Sequence, residues 1–149
     1  MATPQSQPEN SLSMKRTFAA PRDRVYRAWT DARQFALWFH PSTDYRTVIT
    51  RLDLRVSGKY SVEMHHKEGN IHRIWGTYEE VRPPEKLVFT WRWSEDDAIA
   101  DTLVTVLFTD LGGSTEVSLT HQRFASVEER DKHNQGWQGC LTQLEQYLM

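Results

Sequence analysis

Cysteine is nearly absent from this chain: Cys140 is the only one in 149 residues. No internal disulfide can form, which fits a reducing, cytoplasmic setting. Cys140 falls among the apolar positions of a C-terminal helical pattern, so it reads as a buried, inert thiol. Long hydrophobic runs are also missing. No stretch approaches the roughly 18 apolar residues of a membrane-spanning helix. The first residues, Ala2 to Asn10, are polar, include Pro4 and Pro8, and lack the apolar core of a secretion signal. Residues 1–11 are therefore expected to be a disordered tail, with one domain over 12–149. Neither charge sign dominates: 18 Lys and Arg face 20 Asp and Glu, for a net charge of −2. Nucleic acid is not the expected partner, because neutralising phosphates takes a clear basic excess. Several reactive signatures are lacking too. There is no nucleophile elbow, no glycine-rich phosphate loop and no paired-carboxylate motif. Six histidines are present, but none has zinc-type spacing with cysteine, and the neighbours His65 and His66 point to opposite faces of a strand. No metal, cofactor or catalytic residue is assigned.

What the chain does have is aromatic mass: six Trp, six Phe and five Tyr, each able to bury a large area. The N-terminal run Phe18-Ala19-Ala20-Pro21-Arg22 reads as a strand turning sharply into a helix. Pro21 suits the first helical position, whereas Ala20 is a poor cap, so tertiary structure must fix the turn. Val25, Ala28, Trp29 and Ala32 then recur at helical spacing. A second short helix, Phe35 to Phe39, stops at Pro41. The cluster Arg22, Arg24 and Arg27 reads as a solvated helix face. From Val48 to Val56 the even positions alternate as the buried face of a strand, with a turn at Ser57-Gly58. Tyr60, Val62 and Met64 form the next inner face, which leaves Glu63 outside. Ile71 to Val81 is a third strand with a possible bulge at Gly76. Leu87, Phe89, Trp91 and Trp93 alternate as an aromatic inner face. Leu103 to Phe108 is apolar on both faces, so cover on both sides or a central position is expected. Val117, Leu119 and His121 share a face. The period then changes. Ser126 caps a long helix with Glu128 and Glu129 in its first turn, and Trp137, Leu141, Leu144 and Leu148 form its apolar stripe. Gly136 and Gly139 weaken that helix but allow close approach to its backbone.

The element order is strand, two short helices, about six further strands and a long helix. That predicts an α+β protein whose antiparallel sheet needs the last helix as its cover. The order resembles the helix-grip fold of the SRPBCC superfamily, also called START-like or Bet v 1-like: a curved sheet of six to seven strands wrapped around a long C-terminal helix. Within it the chain is most similar to the branch related to the C-terminal domain of the activator of Hsp90 ATPase. The residues that carry the likeness are Ala20-Pro21 with Val25-Tyr26 and Trp29, Trp38-Phe39, Asp53 to Gly58, Gly76 to Val81, Pro83 to Trp91, Thr120-His121, and Gly136-Trp137 with Leu141. Ser57-Gly58 stands where many relatives carry a glycine pair.

The resemblance implies an internal hydrophobic cavity between sheet and helix that takes an apolar or aromatic small molecule. The positions it implies for the ligand are Trp38, Phe39, Val62, Met64, Tyr78, Phe89, Trp91, Trp93, His121, Trp137 and Leu141. Such a cavity would be mostly apolar with a few placed polar groups. His121 is open to two readings, a polar group in the pocket or a hydrogen-bonded core histidine. Two other classes of function remain open. One is a cyclase/aromatase-like enzyme, with His121 and Tyr78 as acid–base candidates. The other is a chaperone- or stress-related interaction module. A monomer or weak homodimer is expected.

Overall fold

The strands are joined by turns or by the helical excursion after the first strand, and every pairing between them is antiparallel. The computed structural model describes residues 10–96 and 98–149. Its elements are β1 (Ser11–Phe18), α1 (Arg22–Thr30), α2 (Ala32–Trp38), β2 (Tyr45–Leu52), β3 (Lys59–His66), β4 (Ile71–Arg82), β5 (Lys86–Trp91), β6 (Thr102–Asp110), β7 (Thr115–Gln122) and α3 (Val127–Tyr147). The expected tail lies, up to residue 9, outside the described residues, as does Asp97 of the acidic loop. The sheet order is β1-β7-β6-β5-β4-β3-β2. The first strand thus pairs with the last, and α1 and α2 carry the chain between the two sheet edges. The strict alternation of β7, with Thr115, Val117, Leu119 and His121 all buried, gives the sheet one apolar face, which α3 covers. Trp137, Cys140, Leu141 and Leu144 supply the buried stripe of that helix. The result is the α+β helix-grip architecture, with seven strands around a long C-terminal helix and two short helices after the first strand.

The helix ends follow from local chemistry. Ser126 Oγ accepts from the Glu129 amide at 3.2 Å, capping α3. The Asp31 carboxylate accepts from Arg33 and Gln34, capping α2. The start of α1 has no side-chain cap, and Pro21 is itself the N-cap, one position before the expected one. A distant residue fixes this turn instead: Thr115 Oγ1 donates to the Ala20 carbonyl at 2.8 Å. Asp31 also splits the two helices, so Ala32 belongs to the second rather than continuing the stripe of the first.

Two strand expectations need correction, and a third is decided between its alternatives. In β2 the buried position is Thr47, and Thr50 is exposed; the register shifts between Ile49 and Arg51, and the strand ends at Leu52, leaving Val56 exposed. A β-bulge resets side-chain parity, so simple alternation misplaces the face. In β4 the irregularity falls between Tyr78 and Glu80, not at Gly76. Gly76 serves another purpose, because a Cβ there would collide with the Thr90 carbonyl. In β6 Val104, Val106 and Phe108 are buried inward, but Leu107 on the other face is exposed. Its apolar pattern reflects a central position, not cover on both sides.

Candidate functional site

Where the ends of β5, β6 and β7 meet the first half of α3, five polar side chains interlock. Trp137 Nε1 donates to His121 Nδ1 at 3.1 Å. An indole N–H can only donate, so His121 carries its proton on Nε2. From there it donates to Thr102 Oγ1 at 2.7 Å, and Thr102 passes its own proton to the Trp91 carbonyl, also at 2.7 Å. Beside this chain, Trp91 Nε1 donates to His133 Nε2 at 3.2 Å. The proton of His133 therefore sits on Nδ1 and reaches the Glu129 carbonyl at 2.8 Å. The two imidazoles are 5.2 Å apart, centroid to centroid. Burial holds the pKa of His121 well below the usual histidine range, and the neighbouring His133 lowers it further. Burial also lowers that of His133, against the Glu129 carbonyl and carboxylate, which raise it. Both rings are thus neutral, with both nitrogens of each committed. Of the two readings for His121, the geometry gives the hydrogen-bonded core histidine.

Outside this network a cleft of about 700 Å³ opens between α3, β4 and the end of α2. Its helical wall is a stripe at i, i+3, i+4 and i+7: His133, Gly136, Trp137 and Cys140. The facing wall is formed by Met64, Ile74, Trp91 and Trp93, with Phe39 and Tyr45 closing one side. The rings pack on one another. Trp91 lies 5.1 Å from Trp137 and 5.9 Å from Phe39, and Trp93 lies 4.5 Å from His133. The indole N–H groups of Trp91 and Trp137 point into the network, so these rings present carbon to the cleft.

Of the eleven residues implied for a ligand, Phe39, Met64, Trp91, Trp93 and Trp137 line this cleft. The other six do not. Trp38 is fully buried, and its Nε1 donates to the Ala28 carbonyl at 2.8 Å. Tyr78 and Phe89 form a separate aromatic group with Tyr60. Burial raises the Tyr78 phenol far above its ordinary pKa. Val62 and Leu141 are core, and His121 sits one layer behind Trp137. The cleft is open rather than internal, because aromatic rings fill the space between sheet and helix. Glu63 lies on the outer face, as its parity requires, bonded to His65 and Arg73. Cys140 is buried, and burial raises its thiol pKa strongly. The sequence reading missed His133, Gly136 and Tyr45 as parts of the site. For His133 a signal existed: it lies four residues before Trp137, so extending the α3 stripe backwards reaches it.

The fold and this aromatic cleft define a helix-grip domain, and the comparisons make the family specific. Residues 19–149 match the family model for Activator of Hsp90 ATPase homolog 1-like protein. The chain belongs to that family. The human activator of 90 kDa heat shock protein ATPase homolog 1 is 25% identical over 132 residues, which is 88% of this chain and 34% of the relative. The chain therefore spans about a third of that curated relative's length. A crystal structure from Chromobacterium violaceum is 28% identical with a TM-score of 0.84, covering 93% of this chain and 96% of the other. The AHSA1 protein from Silicibacter pomeroyi, at 24% identity and a TM-score of 0.82 with coverage of 93% and 96%, shares the fold. Among the described residues no helix is long and apolar enough to cross a membrane.

Proposed function

We propose that the cleft binds an apolar or aromatic small molecule. The observation that carries this reading is the aromatic lining, in which the indole N–H groups of Trp91 and Trp137 are already bonded inward. The aromatic walls offer dispersion and apolar burial, and His72, Arg73, Glu129, Lys132 and Gln135 add polar groups to the lining. A cyclase-like reading has less support. His121 has no free nitrogen, and Tyr78 lies outside the cleft lining. A chaperone-contact reading draws on the name of the human relative, of which this chain covers about a third.

The test is titration with 1-anilinonaphthalene-8-sulfonate, read by probe and tryptophan fluorescence. Affinity in roughly the micromolar range is expected, because an unmatched probe gains chiefly from apolar burial. Trp93→Ala, at a half-buried rim position, should weaken binding with the fold intact. Lys59→Ala, exposed on β3, should leave it unchanged. Absence of binding, or binding indifferent to Trp93→Ala, contradicts the reading.

A further inference from the structure

Two glycines stand three residues apart in α3, and their surroundings differ completely. A Cβ at Gly139 would collide with the Pro41 carbonyl oxygen, so close packing of the α2–β2 connection on α3 requires glycine there. A Cβ at Gly136 would meet nothing within 4 Å. A glycine inside a helix costs stability relative to alanine, and at Gly136 no neighbour requires it. What Gly136 does face is the cleft. It lies on the stripe between His133 and Cys140, three residues after one and four before the other, and all three line the cleft. Side chains at these spacings share a helix face, so any side chain at 136 would project into the space bounded by Trp91, Trp93 and Met64.

We propose that Gly136 sets the size of ligand the cleft accepts, keeping the α3 wall bare so that a planar, multi-ring apolar molecule can lie directly against the helix backbone. This rests on the binding reading above and adds the ligand's shape class and the residue that selects it. The ring faces of Trp91 and Trp137 favour a flat partner through offset or edge contacts, and Met64 adapts to its outline. A side chain at 136 discriminates by a clash, which large ligands feel and small ones avoid.

The experiment compares wild type, Gly136→Ala and Gly136→Leu in titrations with 2-naphthol (two rings) and 1-hydroxypyrene (four rings), with melting temperatures measured alongside. Gly136→Ala should keep or raise the melting temperature, since alanine improves helix propensity and its Cβ meets nothing within 4 Å; the melting temperature of Gly136→Leu reports whether its longer side chain is accommodated. Gly136→Leu should weaken 1-hydroxypyrene by about tenfold or more and 2-naphthol by less than about threefold, with Gly136→Ala intermediate. If wild type binds both and Gly136→Leu, still folded, binds them equally well, the role of Gly136 is overturned while the cleft reading stands. Equal loss of both probes overturns size selection. If wild type binds neither, the cleft reading itself fails and takes this inference with it. Gly136→Ala carries the same test should the leucine variant not fold.

Discussion

Beneath the first half of α3, Trp91 and Trp137 donate to His133 and His121, and the chain of bonds closes on the Trp91 carbonyl. Beneath α1, the Tyr26 hydroxyl and the Trp29 indole N–H are likewise buried and have no hydrogen-bond partner among the described residues. Each lies among aromatic rings: Tyr26 against Phe108, and Trp29 against Trp38, Phe108 and Trp137. An unpaired buried polar group costs about 1–3 kcal/mol, and at the α1 end only aromatic packing and area burial offset that. The two ends therefore hold their shape by different means. Directional bonds fix the orientation of the rings that wall the cleft. Under α1, ring packing holds the side chains. The difference also sets the sign of mutational effects. Removing a polar group from the α3 end orphans its partners, whereas removing one from the α1 end relieves a cost.

The largest effect expected is that of His121→Ala. It leaves the Trp137 N–H and the Thr102 hydroxyl without their imidazole partner and opens a cavity, for a loss of about 3–5 kcal/mol in urea unfolding. A loss below about 1 kcal/mol would show that the network contributes little.

Acid should act on the same end. The folded pKa of both His121 and His133 lies below that of the unfolded chain, because burial disfavours the charged ring. Between those values the unfolded chain binds more protons. Stability is therefore complete above the unfolded histidine pKa of about 6.5 and falls as pH drops below it. His40, whose pKa burial also lowers, acts in the same direction. Protonation would further turn His133 Nε2 from acceptor to donor, facing the Trp91 N–H donor. Denaturant midpoints measured from pH 7.5 to 5 should decline, and a level profile would break the assignment of neutral, accepting rings.

The smallest effect belongs to the α1 end. Tyr26→Phe removes a hydroxyl that is buried, unpartnered and raised in pKa to about 12. Stability should stay level or rise by up to about 1 kcal/mol. A clear loss would mean that the hydroxyl has a partner and that the two ends are alike.

Much of the fold was legible because its signals are local. β7 alternates without interruption, the stripe from Trp137 to Leu148 holds a helical period over three turns, and Ser126 with Glu128 and Glu129 marks where that helix starts. The face of β2 was not legible, because a single extra residue near Thr50 inverts parity and nothing in the local pattern announces it. The site was legible in part. Trp91, Trp93 and Trp137 could be placed on inward faces, but which inward residues border solvent depends on how the layers stack. Trp38, Val62 and Leu141 have the same inward character as the lining residues and are plain core. The pairing of Trp91 with His133 joins residues 42 positions apart and depends on the crossing of α3 over β5, which no spacing encodes.

The central claim is that Trp91, Trp93 and Trp137 face a binding cleft while the other three tryptophans do not. Two-dimensional ¹⁵N–¹H spectra of the full chain resolve indole N–H signals, which single Trp→Phe variants can assign. Titration with 1-hydroxypyrene should shift the signals of Trp91, Trp93 and Trp137 in a saturable way and leave those of Trp38 and Trp75 in place, with at most a small shift at Trp29 through its stacking on Trp137. Saturable shifts centred on Trp75 or Trp38, or none at Trp91 and Trp137, would contradict the account.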